Sequence, residues 1–250
     1  MNILFLTNGS THGQSILRAL RSRDLLPSTI LIERARKHRL DEIRRSIRKY
    51  GLWETTMDVI AFLRRELAAR GNRAVPFRYE DYAQSVITVP DLNHPDTVGI
   101  LERRAPDLLV LGGCRILRRP VLSTARLAVL NAHPGRLPDY RGVDVIPWAI
   151  HNGDQPFVTV HCVNAGVDTG DIVSQQELSV DPGDSISTLR EKAELLAAEL
   201  MVKAVKAIVE TGRVDGTPQT LAECRQYSRM PRQLMRKAEE KLRCTWKSHQ

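Results

Sequence analysis

Residues 130–172 read LNAHPGRLPDYRGVDVIPWAIHNGDQPFVTVHCVNAGVDTGDI. The run that leads into this stretch, Leu127-Ala128-Val129-Leu130, is apolar, short and followed by turn-formers, the pattern of a buried strand. Asn131 and His133 stand at the end of that strand. Residues two apart in an extended chain project to the same side, so a carboxamide and an imidazole face one space. Pro134, Gly135, Pro138 and Gly142 then exclude helix and strand and predict a rigid, shaped loop. Further on, Asn164-Ala165-Gly166-Val167-Asp168-Thr169-Gly170 is a second glycine-bearing loop, and it delivers one carboxylate.

An amide donor, a histidine and an aspartate on loops at strand ends suit acyl transfer. The Asn131 NH2 has no acid–base chemistry, but it can hydrogen-bond an oxygen on which negative charge develops. His133 can donate to the same oxygen or carry a proton, because an unperturbed imidazole titrates near ~6.5. Asp168 can orient the imidazole, raise its basicity and hold a water. Each residue also has an ordinary reading: a loop Asn or His is a turn-former or a surface group, and an Asp before Thr-Gly is a turn cap. The combination carries the chemical reading.

The stretch resembles the signature of the folate-dependent formyltransferases. The matching pieces, in order, are Asn131-x-His133-Pro134, Leu137-Pro138-x-Tyr140-Arg141-Gly142, Trp148-Ala149-Ile150-x-Asn152-Gly153, Thr159-Val160-His161 and Val167-Asp168-Thr169-Gly170-Asp171-Ile172. The resemblance implies that Asn131, His133 and Asp168 are the catalytic trio and that the fold is α/β and Rossmann-like. A mostly parallel sheet flanked by helices is expected, with a helical insertion and a short helical C-terminal tail. Phe157 departs from the family pattern, which has glycine there, and this is expected to alter the local backbone.

The chain has 250 residues, enough for one domain with appendages. A formyltransferase domain is expected over 1–212, containing a basic helical insertion at 39–70, with a basic extension over 213–250. No run of about 18 apolar residues exists, and Met1-Asn2-Ile3-Leu4 enters a strand directly, without the features of a signal peptide, so a cytoplasmic protein is expected, with no membrane partner. Cys114, Cys162, Cys224 and Cys244 show no CxxC or zinc-ligand spacing, so reduced thiols and no metal are expected. A net charge of +8 fits an anionic partner, whether a folate tail, a nucleotide-linked substrate or RNA, and a solvated helix face is an equal reading.

Taken in order, the first strand spans Asn2 to Leu6 and is followed by the turn Thr7-Asn8-Gly9-Ser10-Thr11 and a helix from about His12 to Ser22. A strand, glycine turn and helix open many nucleotide-binding α/β units. The resemblance makes Asn8, Gly9, Ser10 and Thr11 candidate acceptor contacts, together with Arg141; a tight structural turn is the competing reading. A second strand is read at Ser28 to Ile32, and Arg39 to Arg70 then turns helical, with apolar rows Leu40, Ile43, Ile47 and Met57, Ile60, Ala61, Leu67. That insertion could cap the acceptor site, mediate a homodimer or bind an acidic surface.

Further strands are read at Val86 to Val89 and Asp107 to Leu111, around a helix from Pro95 to Arg103. Gly112 and Gly113 let backbone approach a flat ligand, and the resemblance implies that Cys114, Arg115 and Ile116 line the pterin pocket. The same reasoning places Gly166 and Val167 against the cofactor. Strands at Phe157 to Val163 and Asp171 to Val180 precede a long helix from Ser185 to Glu210, capped by Asp184, ended by Gly212 and read as packing. A basic helix, Pro231 to Leu242, follows.

The resemblance therefore implies transfer of a formyl group from 10-formyltetrahydrofolate to a primary amine. In the expected mechanism a neutral amine attacks the formyl carbon, Asn131 and protonated His133 stabilise the oxyanion, and Asp168 holds His133 and a proton-relaying water. The tail is too short for the β-barrel that methionyl-tRNA formyltransferases carry, which favours a small-molecule acceptor, such as a nucleotide-linked amino sugar, over nucleic acid. The rivals are a 10-formyltetrahydrofolate hydrolase, a methionyl-tRNA formyltransferase-like protein and a non-catalytic binding module.

Overall fold

The computed structural model describes residues 1–33, 47–48, 51, 56, 77–220 and 224–245. In chain order these give β1 (Ile3–Thr7), α1 (Thr11–Arg21), β2 (Thr29–Glu33), β3 (Ser85–Val89), α2 (Pro95–Arg104), β4 (Leu108–Gly112) and a short α3 (Arg119–Leu122). β5 (Ala128–His133), β6 (Tyr140–Gly142), α4 (Val145–Asn152), β7 (Phe157–Cys162), β8 (Ile172–Glu177), α5 (Ile186–Thr211), β9 (Arg225–Tyr227) and α6 (Arg232–Thr245) follow. Most of the 39–70 insertion, and the roles considered for it, lie outside the described residues; Ile47, Arg48 and Thr56 are helical.

Seven strands form one sheet in the order β3-β2-β1-β4-β5-β7-β8. The first five are parallel to one another, and β7 and β8 run antiparallel at one edge. The apolar runs of β1 and β4 follow from this position, since a central parallel strand is buried on both faces. Alternation then divides the core. Ile3, Phe5, Leu108 and Val110 face α1 and α5, whereas Leu4, Leu6, Leu109 and Leu111 join Leu101 of α2 and Val121 of α3 on the other side. The sheet order reverses at β1, and the crevice at the carboxyl ends of β1 and β4 is the usual ligand position of such folds.

Local chemistry sets the element ends. Ser10 caps α1 by accepting from the Gly13 amide. α5 is capped by Ser185, not by Asp184: the Ser185 hydroxyl accepts from the Thr188 amide and the Thr188 hydroxyl accepts from the Ser185 amide. Asp184 instead accepts from Lys192 and from the Thr188 hydroxyl. Gly212, with φ at +72°, ends the helix as its glycine predicts.

The proline- and glycine-rich stretch after His133 does contain a strand. Tyr140–Gly142 pairs in parallel with Arg225–Tyr227, because Gly142, at φ +101°, lets the Tyr227 carbonyl approach where a Cβ would lie 2.2 Å from it. α4 follows directly, with Val145, Ile146, Ala149 and Ile150 buried. Met230, Ala238 and Leu242 enter the main core cluster, so the residues beyond α5 pack onto the same body.

Candidate functional site

The antiparallel register of β5 and β7 sets Asn131 opposite His161 and His133 opposite Thr159. Opposed residues project to one face, and the Asn131 Nδ2 lies 3.2 Å from His161 Nε2. His161 Nδ1 lies 2.7 Å from the Cys162 carbonyl. A carbonyl can only accept, so the His161 proton sits on Nδ1 and its Nε2 lone pair accepts one Asn131 N–H. The second N–H of the same amide remains available. Burial pushes the His161 pKa below its ordinary value, outweighing the Cys162 carbonyl and Asp168, which act the other way.

His133 is nearly fully buried. Its Nε2 donates to the Tyr140 carbonyl at 2.7 Å, which leaves Nδ1 facing the Asp168 carboxylate, 3.5 Å from Oδ2. The ring is therefore oriented mainly by the Tyr140 carbonyl, and the Asp168 contact becomes an ion pair when Nδ1 takes a proton. Asp168 Oδ2 also accepts from the Gly142 amide at 2.8 Å, and Oδ1 lies 3.7 Å from His161 Nε2. Asp168 has φ at +53°, a left-handed conformation that a non-glycine residue holds only when its surroundings impose it. The structure thus brings the three predicted residues together and adds His161 as a fourth.

Two cavities share Asn131 and Cys114 in their walls. The smaller, of about 130 Å³, is lined by Leu111, Cys114, Arg115, Ile116, Leu117, His161, Val163, Asn164, Gly166, Val167 and Asp168 as well as Asn131. All five residues predicted to hold the cofactor, Cys114, Arg115, Ile116, Gly166 and Val167, are among them. Asn93 fixes this wall: its side chain donates to the Ile116 carbonyl at 3.0 Å and accepts from the Arg118 amide at 2.7 Å. Arg115 Nε is held 2.9 Å from the buried Glu33 carboxylate. A Cβ at Gly112 would meet the Phe5 ring at 2.3 Å and one at Gly113 the Ser10 hydroxyl at 2.2 Å, so both positions need glycine for packing, and Gly113 also lines the other cavity. The Cys114 thiol donates to the Leu6 carbonyl, and burial pushes its pKa up, so it is no thiolate nucleophile at neutral pH.

The larger cavity, of about 350 Å³, lies on the other side of Asn131, against His12, Asp144 to Pro147 and the α5 residues Arg190, Ala193, Glu194 and Ala197. These four share one helix face, and the two alanines leave room between the two charged residues. α5 therefore forms a cavity wall as well as packing. Arg190 Nη2 pairs with Asp144 Oδ1 at 2.8 Å, and Asp144 Oδ2 accepts from the Met230 amide. Burial raises the Glu194 pKa above its ordinary value and lowers that of His12.

The residues predicted for the acceptor line neither cavity. Asn8 accepts from the Ser10 amide, Gly9 donates to the Thr7 hydroxyl, Ser10 caps α1, and Thr11 donates to Glu194. This is the tight turn that was the competing reading, and His12, one residue beyond it, reaches the cavity instead. Arg141 donates to the Cys224 carbonyl at 2.9 Å. His133 also lines neither cavity, because both ring nitrogens are engaged below the surface by Tyr140 and Asp168, so it does not meet the expectation of donating directly to an oxyanion. Among the described residues, no group of three or more His, Cys, Asp or Glu could hold a metal ion, and no helix is long and apolar enough to cross a membrane.

Fold and site define an α/β protein with a two-sided crevice at the switch point of its sheet and an amide, two imidazoles and a carboxylate at the junction. The formyl transferase family model matches residues 58–205, more than half of the chain. The chain belongs to the folate-dependent formyltransferase family. It is 34% identical over 140 residues to the methionyl-tRNA formyltransferase of Syntrophus aciditrophicus, covering 55% of this chain and 45% of that protein. With the same enzyme of Chlorobium chlorochromatii it shares 35% over 121 residues, 48% of this chain and 38% of that one. The chain thus spans less than half the length of these curated relatives.

Among solved structures, a sugar N-formyltransferase from Shewanella sp. superposes with a TM-score of 0.59 at 13% identity, covering 97% of this chain and 87% of that one. The phosphoribosylglycinamide formyltransferase of Bacillus halodurans gives 0.58 at 18%, covering 85% and 97%. At such identities these matches establish the fold.

Proposed function

We propose that the chain transfers a formyl group from 10-formyltetrahydrofolate to the primary amine of a small molecule, with Asn131, His133 and Asp168 as the catalytic residues. The observation that carries this reading is that Asn131 lines both cavities, with Asp168 in the wall of one of them. The smaller cavity suits a flat pterin: Leu111, Ile116, Val163 and Val167 give apolar walls, and the loops after β4 and β7 offer main-chain groups. When bound, 10-formyltetrahydrofolate supplies the activated formyl carbon. The larger cavity receives the acceptor. Glu194 in its wall can accept from an amine N–H, and the guanidinium of Arg190, ion-paired with Asp144, suits the anionic part of a nucleotide-linked amino sugar.

His161 holds one Asn131 N–H, so the other points its dipole at the oxygen on which charge develops as the amine nitrogen bonds to the formyl carbon. The acceptor nitrogen loses one proton in this exchange and the departing nitrogen gains one. Asp168, in the cavity wall, accepts the proton that the acceptor nitrogen loses, with His133 Nδ1 behind it to share the proton, and returns it to the departing nitrogen as the bond from that nitrogen to the formyl carbon breaks. Neither a covalent enzyme intermediate nor a thiolate is involved.

Incubation of the protein with 10-formyltetrahydrofolate and a panel of amines, read by product mass, tests this; a formylated amino sugar is expected. Formate release without any amine would instead identify a hydrolase. A second reading, an aminoacyl-tRNA acceptor, is favoured by the identity to methionyl-tRNA formyltransferases, and methionyl-tRNA belongs in the panel for that reason.

A further inference from the structure

Asp168 is held in a left-handed conformation, and the side chain that holds its carbonyl, Gln219, comes from the part of the chain beyond the family match, which ends at residue 205. After α5 the chain returns to the sheet edge. Ile172 and Thr217 exchange two backbone hydrogen bonds, of 2.9 and 2.8 Å, in an isolated antiparallel bridge. That bridge brings Gln219 under the catalytic loop. Its side-chain NH2 donates to two carbonyls at once, Asp168 at 3.2 Å and Gly170.

Both partners are acceptors, so the amide is oriented with nitrogen toward the loop, and its two hydrogens are both used. Within the loop, Asn164 accepts from the Gly166 amide and the Thr169 hydroxyl. Those bonds shape residues 164–169 but touch neither the Asp168 carbonyl nor that of Gly170.

The carboxylate end of Asp168 depends on the same part of the chain. Gly142 donates its amide to Asp168 Oδ2, and β6, which carries Gly142, is paired along its length with β9. Val143 donates to the Tyr227 carbonyl, and Arg141 to that of Cys224. The backbone of Asp168 is thus fixed by Gln219, and its side chain is fixed through a strand that β9 supports.

We propose that Gln219 is a positioning residue for Asp168: its amide clamps the loop in the conformation that aims the carboxylate between His133, His161 and the smaller cavity. The proposal rests on the formyl-transfer reading for its effect on rate, but its effect on the loop stands apart from it. Gln219→Leu retains the bulk and removes both donors. Gln219→Asn retains the amide on a shorter stem that cannot span both carbonyls.

The test measures both full-length variants in two ways. Hydrogen exchange reports on the loop, with exchange of residues 164–172 expected to rise in each variant while that of β1 and β4 stays as in the wild type. Formyl transfer from 10-formyltetrahydrofolate reports on catalysis, with kcat expected to fall roughly 10- to 100-fold, as a misplaced catalytic group does. KM for 10-formyltetrahydrofolate is expected to stay within about twofold, since the cavity walls are untouched. A purely structural role would lower the melting temperature and leave kcat unchanged. If Gln219→Leu fails to fold, Gln219→Asn decides.

Unchanged exchange in 164–172, or unchanged kcat in an active protein, overturns the clamp. Raised exchange in 164–172 alone, in a protein whose wild type formylates no amine, supports the clamp and overturns the proposed reaction instead.

Discussion

The two imidazoles of the site have opposite duties, and the difference is set by which nitrogen each gives to a backbone carbonyl. His161 donates from Nδ1 to Cys162 and keeps Nε2 as the acceptor that holds Asn131. His133 donates from Nε2 to Tyr140 and keeps Nδ1 for Asp168. Asn131→Ala removes the donor to the developing oxyanion and should lower kcat by about 10²- to 10³-fold with the melting temperature little changed; steady-state kinetics and a thermal scan check this. Protonating His161 would fill the lone pair that Asn131 needs. Because burial depresses its folded pKa, the unfolded chain takes up this proton first as pH falls. Stability from the neutral ring is therefore complete above about 6.5 and is lost as pH drops toward the depressed value. Urea unfolding of wild type and His161→Gln at pH 7.5 and 5.5 should show a smaller loss on acidification in the variant. His161 is in the resemblance motif Thr159-Val160-His161, but its role depends on standing opposite Asn131, and a strand register between β5 and β7 is not written in either strand alone.

β1 and β4 were legible because burial on both faces demands unbroken apolar runs, as in Leu108 to Leu111, and β3, at the sheet edge and only partly buried, was legible from its β-branched run Val86 to Val89. α5 was legible from its period, but its cap was not. Asp184 and Ser185 are both good caps, and only the Thr188 partner geometry selects Ser185. Tyr140–Gly142 was hidden because a three-residue strand carries no period and its partner lies 85 residues away in Arg225–Tyr227. The larger cavity, proposed here for the acceptor, was illegible for a related reason. Arg190 and Glu194 look like solvated helix residues until Ala193 and Ala197 are seen to leave space beside Asn131. Gly142→Ala is predicted to be the costliest small change in these elements, because a Cβ would sit 2.2 Å from the Tyr227 carbonyl in a left-handed residue. A loss of about 1–3 kcal/mol or more is expected, together with loss of the amide that holds Asp168 Oδ2. Chemical denaturation measures the first and formyl transfer the second.

At the scale of the whole molecule, the sheet supplies one end at which β1, β4 and β5 deliver their loops, and the chain beyond α5 closes over it. Met230, Ala238 and Leu242 lie in the same core cluster as Ile16 and Leu189. Leu242→Ala should therefore behave as a core truncation, costing about 2–5 kcal/mol, and thermal or urea unfolding should remain a single transition. The fold, the convergence of Asn131 and His133 with Asp168, and one wall of the smaller cavity were visible in residues 130–172 and 112–117, since those segments carry their chemistry locally. The wall of the larger cavity and the Gln219 bonds to the Asp168 and Gly170 carbonyls arise from distant segments meeting, and they needed coordinates. The claim on which the rest depends is that Asp168, backed by His133, serves proton transfer during formylation of an amine held beside Asn131. The most direct measurement is single-turnover formyl transfer from 10-formyltetrahydrofolate by wild type and by Asp168→Asn, a change that preserves shape. A fall of about 10²- to 10⁴-fold in the variant, with cofactor binding and melting temperature retained, is predicted; transfer at the wild-type rate would contradict it.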